Sequence, residues 1–162
     1  MSTDRIEKKI LLKAPLARVW RAFADSKEFG DWFGMKIDQP FVAGKTVHAI
    51  VKSTCVDEEI AERQKPYENV PFQLHIERME PERIFSYRWH PGAVDPNIDY
   101  SKEPTTLVTF TFEETAEGVL LTMVESGFDQ LPLARRGKAF GMNENGWIGV
   151  MKLIEKYLAH AA

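Results

Sequence analysis

Between residues 35 and 126 apolar side chains recur at every second position in six separate stretches, 35–39, 45–54, 72–80, 83–90, 104–114 and 118–126. Period two sends successive side chains to opposite faces of an extended strand, so each stretch has one face to bury. Six such strands in succession predict an antiparallel meander, with Pro81-Glu82 and Ala116-Glu117-Gly118 as its tight connections. The connections 55–71 and 91–103 are long, polar and proline-bearing, as loops at the rim of a site often are, and the first predicts a helical turn over Glu58–Gln64.

The two ends of the chain carry different periods. Ile6, Lys8, Ile10 and Leu12 alternate with their neighbours and predict a first strand, which Pro15 stops. Leu16, Val19, Trp20 and Phe23 then recur at helical spacing over 15–24, and Asp25-Ser26 can end that helix and cap a second one, which carries Phe29, Trp32 and Phe33 to Gly34. After Asp129-Gln130-Leu131-Pro132 the spacing is helical to the end, with Phe140, Trp147, Val150, Met151, Ile154, Tyr157 and Leu158 on one side. About 28 residues at 1.5 Å each make a helix of roughly 42 Å. Gly137, Gly141, Gly146 and Gly149 lie inside it, and each interior glycine costs about 1 kcal/mol relative to alanine. This half is therefore expected to bend, to approach a strand closely at Gly146 beside Trp147, or to run partly as loop up to Gly141.

Length and composition place residues 1–162 in one folded domain, since 44% hydrophobic and 28% charged residues are the values of a soluble globular chain. The start, Met1 to Lys9, has no apolar segment with a cleavage site, and no stretch approaches the roughly 20 apolar residues of a membrane span. A cytoplasmic protein that does not engage a membrane is expected. Cys55 is the one cysteine, which excludes an intrachain disulfide and a cysteine-ligated iron–sulfur cluster, and its acidic neighbours Asp57, Glu58 and Glu59 disfavour a thiolate. A formal net charge of −3 argues against nucleic acid as the main partner, and the basic knot Arg135-Arg136-Gly137-Lys138 reads as a solvated helix face. The histidines 48, 75, 90 and 160 show no ligand spacing, so no metal is expected. No phosphate loop, nucleophile elbow or dinucleotide fingerprint is present, and no cofactor is expected.

Ala14-Pro15 before Val19-Trp20, then Trp32-Phe33, Glu80-Pro81-Glu82-Arg83, Trp89-His90-Pro91, Gly118, Glu125-Ser126-Gly127-Phe128 and Gly146-Trp147 form an ordered set. The set resembles the Hsp90-ATPase-activator-homologue-1-like family of the START/Bet v 1-like superfamily, also called SRPBCC or polyketide cyclase-like. The resemblance covers about residues 6 to 158. It implies an α+β helix-grip fold: a curved antiparallel sheet of about seven strands wrapped round a long C-terminal helix, with two short helices after the first strand. Proteins of this superfamily resemble containers, and they include lipid and hormone binders, cyclase-like and hydrolase-like enzymes and co-chaperone domains. The inserts at 55–71 and 93–104 depart from the pattern and bear on the entrance.

Alternation places Phe85, Tyr87 and Trp89, then Val108, Phe110 and Phe112, then Leu121, Met123 and Glu125 on the inward face, opposite Trp147, Met151 and Ile154 of the helix. The resemblance favours a cavity between these surfaces over a filled core, and the candidate ligand-binding residues are Trp32, Phe33, Tyr87, Trp89, Phe110, Phe112, Met123, Glu125, Asn143, Trp147 and Met151. Trp20 and Phe23 read as packed core; Trp32 and Phe33 stand evenly between core and pocket wall. Two readings of Glu125 stay open. It lies at a wet rim, or it is the polar anchor of an apolar pocket, held by Tyr87, His90 or Asn143, in which case Glu125→Leu is expected to raise stability. Three classes of function follow: a binding protein for a small hydrophobic, aromatic or acyl-bearing molecule, which is favoured; a cyclase- or hydrolase-like enzyme using Glu125, Tyr87 or His90 in the same cavity; and a protein-binding module with a chaperone partner. Homodimerisation is compatible with each.

Overall fold

The computed structural model describes residues 5–95 and 97–160. Met1 to Asp4, on which part of the reading of the chain start rests, lie outside the described residues, as does the side chain of His160. The elements run β1 (Arg5–Leu12), α1 (Leu16–Ala24), α2 (Ser26–Phe33), β2 (Met35–Ile37), β3 (Thr46–Val51), α3 (Glu58–Gln64), β4 (Pro71–Glu80), β5 (Ile84–Trp89), β6 (Thr106–Thr115), β7 (Gly118–Ser126) and α4 (Leu133–His160). The seven strands form one antiparallel sheet in the order β1-β7-β6-β5-β4-β3-β2, so the strand nearest the N-terminus closes against the last one. This is the α+β helix-grip architecture, with α4 lying along the sheet and α1 and α2 across one end.

Local chemistry sets the boundaries. Pro15 precedes α1 in an extended conformation. The Asp25 carboxylate accepts the backbone N–H groups of Lys27 and Glu28 and starts α2, and Gly34, at φ 105°, ends it in the left-handed conformation glycine favours. Asp57 caps α3 through the N–H of Ile60, 2.9 Å away, and its other oxygen takes Lys156 of α4 at 2.7 Å. A bulge between Ile76 and Arg78 shifts the β4–β5 register, a device that increases local twist and bends a strand. Inward-facing Phe85, Tyr87, Val108, Phe110, Leu121 and Met123 are fully buried, and Trp147, Met151 and Ile154 meet them from α4.

At the closed end Phe23 lies within 5.2 Å of the ring centroids of Trp32, Phe110 and Phe112, and Trp20 packs edge-on to Phe112 at 5.4 Å. The indole N–H of Trp32 donates to the Ala22 carbonyl at 2.8 Å, which turns its ring into the core. The chain's early aromatic cluster is thus a plug for this end of the sheet.

Two expectations for α4 need correction. Its 28 residues are continuous helix from Leu133, with no loop before Gly141, and Gly146 makes no close approach: a β-carbon there, as at Gly137 and Gly141, would meet nothing within 4 Å. Helical spacing turns Gly146 outward while Trp147 turns in. A tight glycine lies instead at Gly118, at φ 144°, where a β-carbon would run into the Leu12 carbonyl of β1. Nor is the basic knot a simply solvated face. Arg135 is largely buried, donates to Glu103 at 2.8 Å and to the Pro91 carbonyl at 3.1 Å, and lies 4.6 Å over the Tyr100 ring, so it straps the 91–103 connection to α4.

The glycine contrast predicts opposite signs. Gly118→Ala should cost on the order of 1 to 3 kcal/mol, from a forced shift of β1 and a strained φ. Gly146→Ala should add up to about 1 kcal/mol through helix propensity. Urea denaturation midpoints compare the two directly.

Candidate functional site

Glu125 is 0% exposed. That settles its two open readings against the rim. On β7 it stands on the inward face, diagonal to Thr106 of β6, which itself pairs with Trp89 of β5. From these positions the Trp89 indole N–H donates to Glu125 Oε2 at 2.7 Å and the Thr106 hydroxyl donates to the same oxygen at 2.6 Å. The helix supplies the rest. Trp147 Nε1 donates to Oε1 at 2.8 Å, and the Asn143 amide N–H₂ reaches both oxygens at 2.9 and 3.1 Å. Asn143 and Trp147 are four residues apart, one turn of α4, which is why a single carboxylate can take both.

Every partner is a donor, the set that a carboxylate rather than a carboxylic acid calls for. None is a cation, so the charge is solvated by four neutral side chains from two strands and one helix. Tyr87 and His90 take no part: His90 Nε2 contacts the Glu103 carbonyl at 3.1 Å, and the Tyr87 hydroxyl is buried without a hydrogen-bond partner in the protein. Burial foremost, and the Glu125 charge second, hold the Tyr87 hydroxyl protonated to well above the ordinary tyrosine range. With its lone pairs engaged, Glu125 has no free acceptor position for a substrate proton. Its chemistry here is to bind and orient the two indoles.

Those indoles fill the space where a cavity between sheet and helix is expected. Trp147 meets Phe110 at 5.9 Å, Trp89 at 5.9 Å and Phe33 at 5.9 Å between ring centroids. The open volume, about 350 Å³, lies one layer further out, between α3, the end of α2 and α4. Of the residues singled out in the sequence, Phe33, Trp89, Asn143 and Trp147 line it. Trp32, Tyr87, Phe110, Phe112, Met123, Glu125 and Met151 stand behind that surface, all of them buried. Ile60, Arg63, Gln64 and Tyr67 on one side and Met142, Asn145, Gly146, Gly149, Val150 and Leu153 on the other also line it and were not among the candidate ligand-binding residues. For three of them the signal was present: 60, 63 and 64 follow helical spacing on one face of the turn expected over Glu58–Gln64. A second, larger cleft of about 690 Å³ lies between the 93–101 connection and strands β2 to β4. Among the described residues no cluster of three or more His, Cys, Asp or Glu side chains is placed to hold a metal, and no helix is long and apolar enough to cross a membrane.

The family model of the Activator of Hsp90 ATPase homolog 1-like proteins matches residues 13–159. No curated protein sequence matches the chain. Among solved structures, protein MLL2253 from Mesorhizobium loti is 21% identical, with 98% of each chain covered and a TM-score of 0.71. DynU16, described as a putative protein in the dynemicin biosynthetic locus, is 22% identical at a TM-score of 0.69; 98% of this chain is covered, but it spans only 48% of DynU16. The Aha1 dimer from Colwellia psychrerythraea is 12% identical, with 95% of each chain covered and a TM-score of 0.65. At these identities the likeness is one of fold.

Glu125→Leu would strand four donors, so it is expected to lower stability rather than raise it. Glu125→Gln, which turns an N–H₂ toward donors, should cost on the order of 3 kcal/mol; both are read from denaturation midpoints. Tyr87→Phe removes an unpartnered hydroxyl and should gain up to about 1 kcal/mol at neutral pH. Because folding raises the Tyr87 pKa, the wild type keeps this group's full stability below about pH 10, the unfolded value, and loses it as pH rises further. Tyr87→Phe should flatten that alkaline loss in a series of melts from pH 8 to 11.

Proposed function

Because this chain belongs to the Activator of Hsp90 ATPase homolog 1-like family, whose model spans residues 13–159, we propose that it is a single-domain cytoplasmic binding protein for a small hydrophobic molecule, aromatic or acyl-bearing. The site in this reading is the cleft of about 350 Å³ between α3 and α4, in the size range of small-molecule sites. One observation carries the proposal: the cleft is backed by Trp89 and Trp147, whose N–H groups are both committed to Glu125. A rigid aromatic surface with its polar atoms turned away favours an apolar guest. Phe33, Ile60, Val150 and Leu153 continue that surface to the sides. Binding is favoured over turnover, since Glu125 is saturated and Tyr87 is buried behind the rings. We include self-association in the proposal, on the strength of the dimer solved for the Colwellia chain, and sedimentation velocity reports it.

An environment-sensitive hydrophobic dye should bind with about one-to-one stoichiometry and change tryptophan fluorescence. Gly146 lines the cleft with open space over its α-carbon, so Gly146→Phe should block it: dye affinity falls about tenfold or more while the denaturation midpoint holds. Equal dye binding by the two proteins would place the site elsewhere.

A further inference from the structure

The cleft of the proposed function has one charged lining residue, Arg63, in the last turn of α3. Its side chain is exposed at the rim, and among the described residues its guanidinium has neither a carboxylate partner nor a hydrogen bond. Of the nearby carboxylates, Asp57 holds Lys156 at 2.7 Å and Glu62 holds Lys65 at 2.6 Å, while Glu59, one turn back on α3, makes no ion pair with Arg63. Of the other polar groups of the lining, Tyr67 and Asn145 are neutral, and Gln64, Asn143 and the two indoles are spent. Gln64 donates to the Phe33 carbonyl at 3.1 Å and accepts the Thr54 N–H at 2.7 Å. Asn143 and the two indoles donate to Glu125. The cleft therefore offers an apolar inner end and a single unpaired cation at its mouth.

From this arrangement, and resting on the proposed ligand site, we infer that the ligand is an amphipathic anion: a hydrophobic carboxylic acid whose carboxylate pairs with Arg63 while its apolar part lies against Trp89 and Trp147. The orientation follows from charge. Glu125 stands directly behind the indoles without a cationic partner, so its field repels an anion from the inner end and leaves the rim as the place for the head group. A guanidinium presents its donors as a fork matched to a carboxylate.

Three eight-carbon ligands, octanoate, octanol and octyltrimethylammonium, share a tail and differ in head group, and calorimetric titration of the full chain compares them. Octanoate should bind about fivefold more tightly than octanol, the size of an ion pair at a half-solvated rim, with the cation weakest, and raised salt should shrink the difference. Arg63→Gln, at an exposed position, should bring octanoate down to the level of octanol and leave octanol unmoved. Equal affinity of octanoate and octanol for the wild type, or tightest binding of the cation, would overturn the assignment of an anionic ligand while leaving the cleft a ligand site. Silence from all three would remove the cleft as a ligand site, and the anionic ligand with it.

Discussion

A buried carboxylate without a counter-ion holds this protein's sheet and helix in one register. Glu125 would be costly to bury alone. It is tolerated because Trp89, Thr106, Asn143 and Trp147 surround it with five contacts between 2.6 and 3.1 Å. The dependence runs both ways, since each indole N–H would itself be an unsatisfied buried donor without the carboxylate. Apolar packing of α4 on the sheet is tolerant of small rotations and slides. Two donors one helical turn apart aimed at one carboxylate are not, and they fix both the rotation of α4 and its height along β5 to β7.

That constraint shapes the binding surface. Once Trp147 is pulled to Glu125 it rests against Phe110 and Phe33 and closes the interior, so a guest is confined to the outer face of the rings. What makes a cleft there is the 55–71 insert, which carries α3. α3 stands off from α4, touching it through Ile60, whose methyl is 3.8 Å from where a β-carbon of Gly149 would lie, and through the Asp57–Lys156 pair. The far end is sealed by the aromatic plug and by Glu28 of α2, which takes Arg18 at 3.0 Å, Arg21 at 2.8 Å and the Tyr157 hydroxyl at 2.6 Å, binding α1, α2 and the last turns of α4 together. One end of the grip is thus locked by charge and rings, while the other is left open beneath α3.

Periodicity and capping chemistry are local, and they were legible in the chain. Alternation marked β1 to β7 and their inward residues. Asp25 and Gly34 marked the limits of α2, and the stretch Glu58–Gln64 was visible as a turn of helix. Such signals depend on neighbours a few residues away, which a linear sequence displays. The family-like order of short motifs added the way the sheet wraps α4, something no single period conveys.

The fate of Glu125 was not legible, because burial depends on what stands opposite. Its position on the inward face of β7 followed from alternation, yet rim and interior differ only in whether Trp89, Thr106 and Trp147 arrive together, from residues 36, 19 and 22 positions away in the chain. The strap formed by Arg135 and the unpaired state of Arg63 have the same origin: each rests on a contact, or the lack of one, between distant segments. The sequence by itself determined which residues form strands and helices and which faces are apolar, since backbone geometry imposes those periods on any chain. Only the tertiary structure decided that the space between sheet and helix is filled, and that the open cleft lies outside the indoles, because packing rings at interior density is a matter of how three-dimensional shapes meet.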